Sequence, residues 1–333
     1  MPRKVMVVTN PENPVAVAAM SETRPALEAA GFEVVESNEH HHSLFGDPAA
    51  EARNRAEVAG CELVIVLGGD GTILRATELT QGSDIPILGV NLGHVGFLAE
   101  AERENLSDAV ARVASGDYSV EERVVASVAV YLPGQRTPTV GWALNEATIE
   151  KSSRQRMIEV GVEVDDRPLM SFGCDGVIIA TPTGSTAHAF SAGGPVLWPD
   201  VQGILLVPLS AHALFARPLV IGPSSEYRVT LLNRSPMRAV LTCDGRRSIE
   251  LPLGSTVVVR IDDRPLKFAR LTEAPFTDRL VSKFELPVVG WRESAAQVSM
   301  AKYADAPITA RTELHRGAQP TQIPVTTSDG FGA

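Results

Sequence analysis

A change of pattern near Gly116 constrains the fold of this chain more than any other feature of its sequence. Before that point, short apolar runs such as residues 4–9 and 62–67 alternate with segments of helical apolar spacing such as residues 14–30. Strands that alternate with helices form parallel β-α-β units in an open sheet. Residues 1–116 are therefore predicted to form an α/β domain.

Residues 117–271 show a different pattern. Short β-type runs follow one another and are separated by turn residues such as Asp244-Gly245. The predicted runs are residues 124–132, 140–150, 159–164, 176–180, 227–232, 239–242, 256–261 and 266–271. This pattern is typical of an all-β sandwich of two sheets. One helical pattern, at residues 184–193, interrupts it.

The end of the chain divides into two further parts. Residues 272–292 contain a helical pattern and are expected to return to the α/β domain. Residues 293–333 hold six Leu, Ile, Val or Phe among 41 residues. Such a segment cannot bury enough apolar surface to offset the entropy of ordering, so we predict a disordered tail. Near the other end, three histidines at residues 40–42 are interpreted as a solvated loop rather than as a metal site.

Charge and composition exclude several classes of function. The chain has 40 Asp and Glu against 30 Lys and Arg, a formal net charge of -10, and only 5% aromatic residues. An acidic surface repels phosphate backbones and anionic lipid, so neither nucleic acid nor a membrane is expected as a partner. The three cysteines lack CxxC spacing, which argues against disulfides and a structural zinc site. Because the chain has neither an apolar run of about 18 residues nor a secretory leader, it is expected to be cytoplasmic.

The strongest local motif is GGDGT at residues 68–72, between an apolar strand and a helix. Glycines allow a sharp turn and the close approach of a ligand, and the first turn of a helix offers unpaired N–H groups to anions. The carboxyl end of a strand is also where open α/β sheets bind ligands. The motif is therefore predicted to cradle phosphate groups. The alternative is a tight turn with Asp70 as a helix cap.

Asp70 is unusual in a phosphate-binding loop, because its charge repels phosphate. A carboxylate at this place suggests work on a hydroxyl group or on a metal ion. Two familiar nucleotide-binding loops do not fit the motif. The chain has no Gly-Lys pair, which a Walker loop needs. Leu74 stands where the third glycine of a dinucleotide fingerprint belongs.

Three further segments carry candidate binding groups. The sequence TPTGSTA at residues 181–187 follows a strand, and its hydroxyl groups could donate to phosphate or ribose; the alternative is a Ser/Thr-rich helix cap. Asn145 and Glu146 are an amide–carboxylate pair suited to ribose hydroxyls or an adenine edge, although alone the pair is uninformative. Residues 89–98, with three glycines, suggest a second loop at the edge that carries GGDGT, or a connection with Phe97 in the core.

Together these motifs resemble those of the NAD kinases. The motifs shared in this order are GGDGT at 68–72, NE at 145–146, DG at 175–176, TPTGSTA at 181–187 and GGP at 193–195. The resemblance spans residues 4–292. It implies the two-domain NAD kinase-like fold and the phosphorylation of the adenosine ribose 2′-hydroxyl of NAD by ATP with Mg²⁺, giving NADP. It also implies a homodimer or homotetramer, with polyphosphate as the alternative donor of some bacterial members.

The resemblance implies roles for individual residues. Asp70 would be the general base that takes the proton of the 2′-hydroxyl. Mg²⁺ would be held mainly through the donor phosphates, with no metal ligand assigned. The loop that holds those phosphates would consist of Gly68, Gly69, Gly71 and Thr72. The residues expected to bind NAD are Asp70, Gly71, Arg75, Asn145, Glu146, Arg156, Asp175, Thr186, Ala187, His188, Ser191 and Arg246. Among them, Asp175 would contact the nicotinamide portion across a subunit boundary.

One position departs from the family pattern. His188 stands where the family usually has a tyrosine that stacks on a base of the substrate. We expect NAD binding to be weaker or more pH-sensitive than in a His188→Tyr variant. Because GGDGT is shared with diacylglycerol and sphingosine kinases, a lipid kinase is one alternative. A nucleotide-binding regulator without catalysis is the other.

Overall fold

The computed structural model describes residues 3–37, 45–93, 96–153, 156–233, 237–272 and 275–288. Within it, Met1–Lys283 form one compact unit that holds the three sheets built by these residues. The predicted tail at residues 293–333 and the histidines at residues 40–42 lie outside the described residues. Those two predictions therefore stay predictions.

The helices and strands follow the chain in this way. The helices are α1 (Pro14–Ala29), α2 (Pro48–Glu57), α3 (Asp70–Thr80), α4 (Leu106–Ser115), α5 (His188–Ser191) and α6 (Phe276–Phe284), with 3-10 turns at Arg103–Asn105 and Thr183–Thr186. The strands are β1 (Arg3–Thr9), β2 (Phe32–Ser37), β3 (Leu63–Leu67), β4 (Ile87–Asn91), β5 (Ala101–Glu102), β6 (Ser119–Arg123), β7 (Ala126–Tyr131), β8 (Thr139–Ala143), β9 (Glu146–Lys151), β10 (Ile158–Val164), β11 (Arg167–Cys174), β12 (Gly176–Ala180), β13 (Ile204–Leu209), β14 (Leu219–Ile221), β15 (Tyr227–Leu231), β16 (Ala239–Cys243), β17 (Arg247–Leu251), β18 (Thr256–Ile261) and β19 (Leu266–Arg270).

The first sheet has the strand order β2-β1-β3-β4-β19-β6, with β5 beside β4. Its pairs from β2 to β19 are parallel, as predicted for an open α/β sheet. At the edge, β6 pairs antiparallel with β19, which is common on otherwise parallel sheets. The core on one face includes residues of α1 and α4, and the core on the other face includes residues of α3. The α/β class is confirmed.

The remaining strands form two antiparallel sheets of six strands, in the orders β11-β10-β15-β18-β7-β8 and β14-β13-β12-β9-β16-β17. Buried and partly exposed residues alternate along β7, β10, β15 and β16, as expected for strands with one face in a core. Both sheets contribute to one apolar cluster, which includes Val128, Val160, Ile179 and Leu241. The predicted sandwich is confirmed.

The structure divides one predicted strand. The run at residues 140–150 becomes β8 and β9, which belong to different sheets. Between them, the backbone N–H groups of Leu144 and Asn145 donate to the buried carboxylate of Asp244 at 3.0 and 2.7 Å. Because these two N–H groups bond to a side chain rather than to a neighbouring strand, the chain leaves one sheet and enters the next at this point.

Two strands from the segment 117–271 lie in the first sheet and not in the sandwich, namely β6 and β19. The prediction that residues 266–271 belong to the sandwich is therefore wrong. Leu266 and Phe268 are buried in the core shared with α3. An alternating pattern predicts a strand but does not identify the sheet that receives it. The domain limits at residues 116, 271 and 292 stay predictions.

Candidate active site

The GGDGT loop joins β3 to α3 at the carboxyl edge of the first sheet. β3 is buried along its whole length, and the chain turns out of the sheet after Gly68, whose N–H donates to the Val90 carbonyl at 2.9 Å. α3 begins at Asp70, with Gly69 in the N-cap position. The backbone at Gly69 and Gly71 is exposed. The first turn of α3 therefore offers accessible N–H groups, which suit an anionic phosphate.

Asp70 does not cap α3. Its Oδ2 accepts the Phe97 N–H at 3.0 Å, and its Oδ1 accepts the Leu98 N–H at 3.1 Å. A Cβ atom at Gly96 would lie 2.2 Å from Oδ1, so this approach depends on glycine. The described residues of the 89–98 segment, 89–93 and 96–98, thus lie at the edge that carries GGDGT, and Phe97 is also buried. Because a carboxylate has about four lone-pair sites, Asp70 can accept further hydrogen bonds.

Asn145 and Glu146 lie where the chain passes from β8 to β9, and we call this place the Asn145–Glu146 corner. Asp244 fixes the corner, because its carboxylate also accepts the Glu146 N–H at 3.4 Å in addition to the two bonds described above. Arg247 donates to Asp244 at 2.5 Å, and its guanidinium group lies 3.8 Å from the centre of the Trp142 ring. A buried charge needs such partners, so the position of the corner depends on Asp244 and Arg247.

The Glu146 side chain is a buried acid with unused bonding capacity. The residue is 7% exposed, and its Oε2 has no hydrogen-bond partner among the residues that the structure describes. Burial, followed by the charge of Asp244, raises the pKa of Glu146 to about 8, although a hydrogen bond from the His188 backbone opposes the change. An unpaired buried oxygen is costly. The corner is therefore suited to form a hydrogen bond with a ligand, which Oε2 accepts when Glu146 is ionised and donates when Glu146 is protonated.

Residues 181–187 fold onto the Asn145–Glu146 corner. The Thr181 N–H donates to the Asn145 carbonyl at 2.9 Å, and the Thr181 hydroxyl donates to the Leu144 carbonyl at 2.5 Å. A Cβ atom at Gly184 would lie 2.0 Å from the Asn145 carbonyl oxygen. The backbone bond from His188 to Glu146 brings the half-buried residues 186–188 to the same place.

The hydroxyl groups of this turn bond mostly within it. Ser185 donates to the Pro182 carbonyl at 2.7 Å, and Thr186 donates to the Thr183 carbonyl at 3.2 Å. These hydroxyl groups donate to carbonyls three residues earlier and do not cap a helix. Ser185 is fully buried, and whether hydroxyl groups of this turn donate to phosphate or ribose stays a prediction.

Two of the predicted arginines lie on neighbouring elements. Arg75 belongs to α3, and Arg246 belongs to the turn that joins β16 to β17. Arg246 donates from Nε to Glu78 on α3 at 3.1 Å. Burial, followed by the charge of Arg246, lowers the pKa of Arg75. Paired guanidinium groups match the geometry of a diphosphate. Both residues were predicted to bind NAD, and the structure brings them together.

Asp175 and Arg156 lie away from the other predicted residues. Ala180 pairs with Glu146 at one end of the β9–β12 pair, whereas Asp175 precedes β12 at the other end. The paired residues at the two ends, Glu146 and Glu150, are four positions apart along β9, a distance of about 14 Å. There, Lys151 bonds to Asp175 at 2.5 Å, and this bond lowers the pKa of Asp175. Arg156 and Ser191 are exposed.

Comparison with known proteins identifies the family. A sequence model of the ATP-NAD kinase N-terminal domain matches residues 5–118, and a model of the C-terminal domain matches residues 144–271. An NAD kinase of Leifsonia xyli subsp. xyli is 54% identical over 295 residues, which cover 87% of this chain and 97% of the relative. An NAD kinase of Thermobifida fusca is 58% identical over 254 residues, covering 75% of this chain and 76% of the relative. The chain belongs to the NAD kinase family.

Solved structures agree with this assignment. An NAD kinase from Archaeoglobus fulgidus, in complex with ATP, has a TM-score of 0.67 and 26% identity and covers 85% of this chain and 100% of its own. A yeast NADH kinase complexed with NADH has a TM-score of 0.77, covers 88% and 90% of the two chains and, at 24% identity, supports the fold. NAD kinases are phosphotransferases, so the predicted enzyme class is confirmed. These matches do not favour the lipid-kinase and regulator alternatives.

The described residues contain no helix long and apolar enough to cross a membrane. Nor do three His, Cys, Asp or Glu side chains of the described part converge in a way that could hold a metal ion.

Proposed function

We propose that this NAD kinase transfers the terminal phosphoryl group of ATP to the adenosine ribose 2′-hydroxyl of NAD, with Asp70 as the general base. The observation that carries the proposal is the pairing of a fixed carboxylate with an exposed helix N-terminus. Asp70 is held by two backbone N–H groups, and the exposed glycines 69 and 71 flank it. A hydroxyl kinase needs a base beside a phosphate cradle.

The acceptor would bind across the Asn145–Glu146 corner and residues 186–188. The unpaired oxygen of Glu146 would accept from a hydroxyl or amino group of NAD. The Asn145 side chain and the half-buried His188 ring would contact its adenosine portion, and Arg75 and Arg246 would contact its diphosphate. The 2′-oxygen attacks the terminal phosphorus, the bond to the bridging oxygen of ADP breaks, and Asp70 takes the hydroxyl proton.

The donor phosphates would lie on Gly68, Gly69, Gly71 and Thr72. The related enzyme of Archaeoglobus fulgidus was solved with ATP, which favours ATP as donor, and polyphosphate is the alternative. Asp70 supplies one carboxylate near this loop, and Mg²⁺ commonly takes one or two carboxylates together with substrate phosphates. The residues present fit that mode of binding. Mg²⁺ held in this way neutralises charge on the phosphates.

A homodimer or homotetramer would give Asp175 and Arg156 a role. Asp175 lies at the end of the β9–β12 pair that is remote from Glu146, and Arg156 precedes β10, whose Ile158 pairs with Cys174. They would therefore reach the nicotinamide portion of an NAD molecule that is bound by another copy of the chain. Val220, Leu214 and Phe215 are exposed apolar residues, and such residues favour contact between copies.

The experiment is a coupled assay of NADP formation from NAD, ATP and Mg²⁺. Asp70→Asn is expected to lower kcat by about 10²- to 10⁴-fold, the usual contribution of a general base. Asp84→Asn is the matched control, because Asp84 is an ion-paired surface carboxylate. Full activity in Asp70→Asn would refute the role of Asp70. Absence of NADP formation by the unaltered protein with both ATP and polyphosphate would refute the proposed reaction.

A further inference from the structure

The loop that binds Asp70 is held from its other side by α6. We call residues 96–100 the 96–100 loop. Its N–H groups at Phe97 and Leu98 bind Asp70, and its carbonyl groups point to Arg279. Arg279 Nη1 donates to the Phe97 carbonyl at 3.1 Å and to the Ala99 carbonyl at 2.8 Å. One loop therefore links Arg279 to the carboxylate of Asp70.

Glu100 fixes the orientation of the Arg279 side chain. Arg279 Nη2 donates to Glu100, whose side chain is 1% exposed. Arg270 donates to the same carboxylate at 2.7 Å, and the Leu271 and Thr272 N–H groups donate to its other oxygen at 3.2 and 3.0 Å. Burial alone would raise the pKa of Glu100, but the two arginines and the backbone bonds hold it below its usual value. Glu100 is therefore a charged anchor for the Arg279 fork.

α6 also contacts the segment that follows the proposed NAD pocket. The Phe276 ring lies 6.0 Å from the Phe97 ring and 5.1 Å from the Trp198 ring, centre to centre. Trp198 follows Leu197, whose N–H donates to the Ser185 hydroxyl at 2.9 Å. Ser185 belongs to the turn on the Asn145–Glu146 corner. One helix thus contacts both the loop that binds Asp70 and the segment that follows the proposed NAD pocket.

We propose that Arg279 is a positioning residue for phosphoryl transfer, which acts on Asp70 through the 96–100 loop. The proposal rests on the function proposed above for Asp70. The guanidinium group fixes two carbonyls and Glu100 at once, so the loop offers its N–H groups to Asp70 in one place. Without that group, the loop and the carboxylate lose their fixed position relative to the phosphate cradle.

The test compares Arg279→Met and Arg279→Lys with Arg3→Met. Arg3 is a close match, because it donates to two successive carbonyls, at 2.5 and 3.1 Å, and to Glu62, away from the site. Arg279→Met should lower kcat by about 10²-fold, the effect of a displacement of about 1 Å. The KM for NAD should stay within about threefold, since the NAD contacts are unaltered. Arg279→Lys keeps the charge but not the fork, so we expect it to recover part of kcat.

Hydrogen exchange provides a readout that does not depend on catalysis. The N–H groups of Phe97 and Leu98 should exchange at least about tenfold faster in Arg279→Met than in the unaltered protein or in Arg3→Met. Unchanged exchange at both positions, or a kcat loss equal to that of Arg3→Met, would overturn the proposal. Full kcat in Arg279→Lys beside a loss in Arg279→Met would also overturn it, because charge alone would then suffice.

The two proposals fail in different ways. If Asp70→Asn is fully active, Asp70 is not the base, and Arg279 then has no catalytic group to position. If Asp70→Asn is inactive while Arg279→Met keeps its activity and its exchange rates, only the positioning role is wrong.

Discussion

Gly96→Ala tests how closely the reaction depends on the position of Asp70. A Cβ atom at residue 96 would lie 2.2 Å from Asp70 Oδ1 and 2.8 Å from its Cγ. An ordinary contact begins near 3.4 Å, so the carboxylate or the loop must move by about 1.2 Å. A displacement of about this size costs on the order of 10²-fold in rate. We therefore expect kcat to fall by about 10²-fold, and overpacking to lower the free energy of unfolding by about 1–3 kcal/mol.

Gly93→Ala is the control for this experiment, because a Cβ atom there meets no atom of the described residues within 4 Å. Steady-state kinetics with NAD and ATP measure kcat and KM, and thermal unfolding measures the loss of stability. If the change acts through Asp70, adding Gly96→Ala to Asp70→Asn should lower kcat no further, since coupled residues are not additive. A Gly96→Ala enzyme with a kcat within about threefold of the unaltered one would refute the reasoning, as would full additivity in the double variant.

Two other predictions concern the NAD pocket. Gly184→Ala should raise the KM for NAD at least about tenfold, because a Cβ atom 2.0 Å from the Asn145 carbonyl oxygen lifts the 181–187 turn from the corner. Gly161→Ala, with a nearest contact at 3.5 Å, is the control. An unchanged KM in Gly184→Ala would contradict the reasoning. The pKa of Glu146 is raised to about 8, so a ligand that donates to the ionised form binds with release of a proton. The KM for NAD should then fall by up to about tenfold per unit from about pH 6 to about pH 8, and Glu146→Gln should remove the trend; a KM that rises with pH would show that Glu146 is the donor.

The sequence predicted the two fold classes because hydrophobic periodicity is a local signal. β12 and β18 have the bounds that the sequence predicted. β13 was missed, since it contains Pro208, which argues against a strand. β11 was missed because it begins with Arg-Pro, and proline argues against a strand. β19 was placed in the wrong sheet, because the pairing of strands depends on distant partners that periodicity does not reveal.

Prediction of the site was also limited by contacts between residues that are distant in the chain. Asp70, Asn145 and Glu146 stand in recognisable motifs, and the structure confirms that Phe97 and Leu98 of the 89–98 segment lie beside the first of them. Asp244 was interpreted as a turn residue, and with a φ of 52° it does occupy a turn. Its second role, binding N–H groups about a hundred residues earlier in the chain, leaves no trace in the local sequence.

Three segments in and beside the site are held in the same way, by a carboxylate that accepts backbone N–H groups. Asp70 binds the N–H groups of the 96–100 loop, Asp244 binds those of the Asn145–Glu146 corner, and Glu100 binds those of the segment leading to α6. A charged oxygen forms a strong bond with a backbone N–H, and every residue except proline supplies that donor. A sequence can therefore single out the carboxylate but not its partner. That is why Asp70 could be assigned from its motif, whereas its partners Phe97 and Leu98 could not.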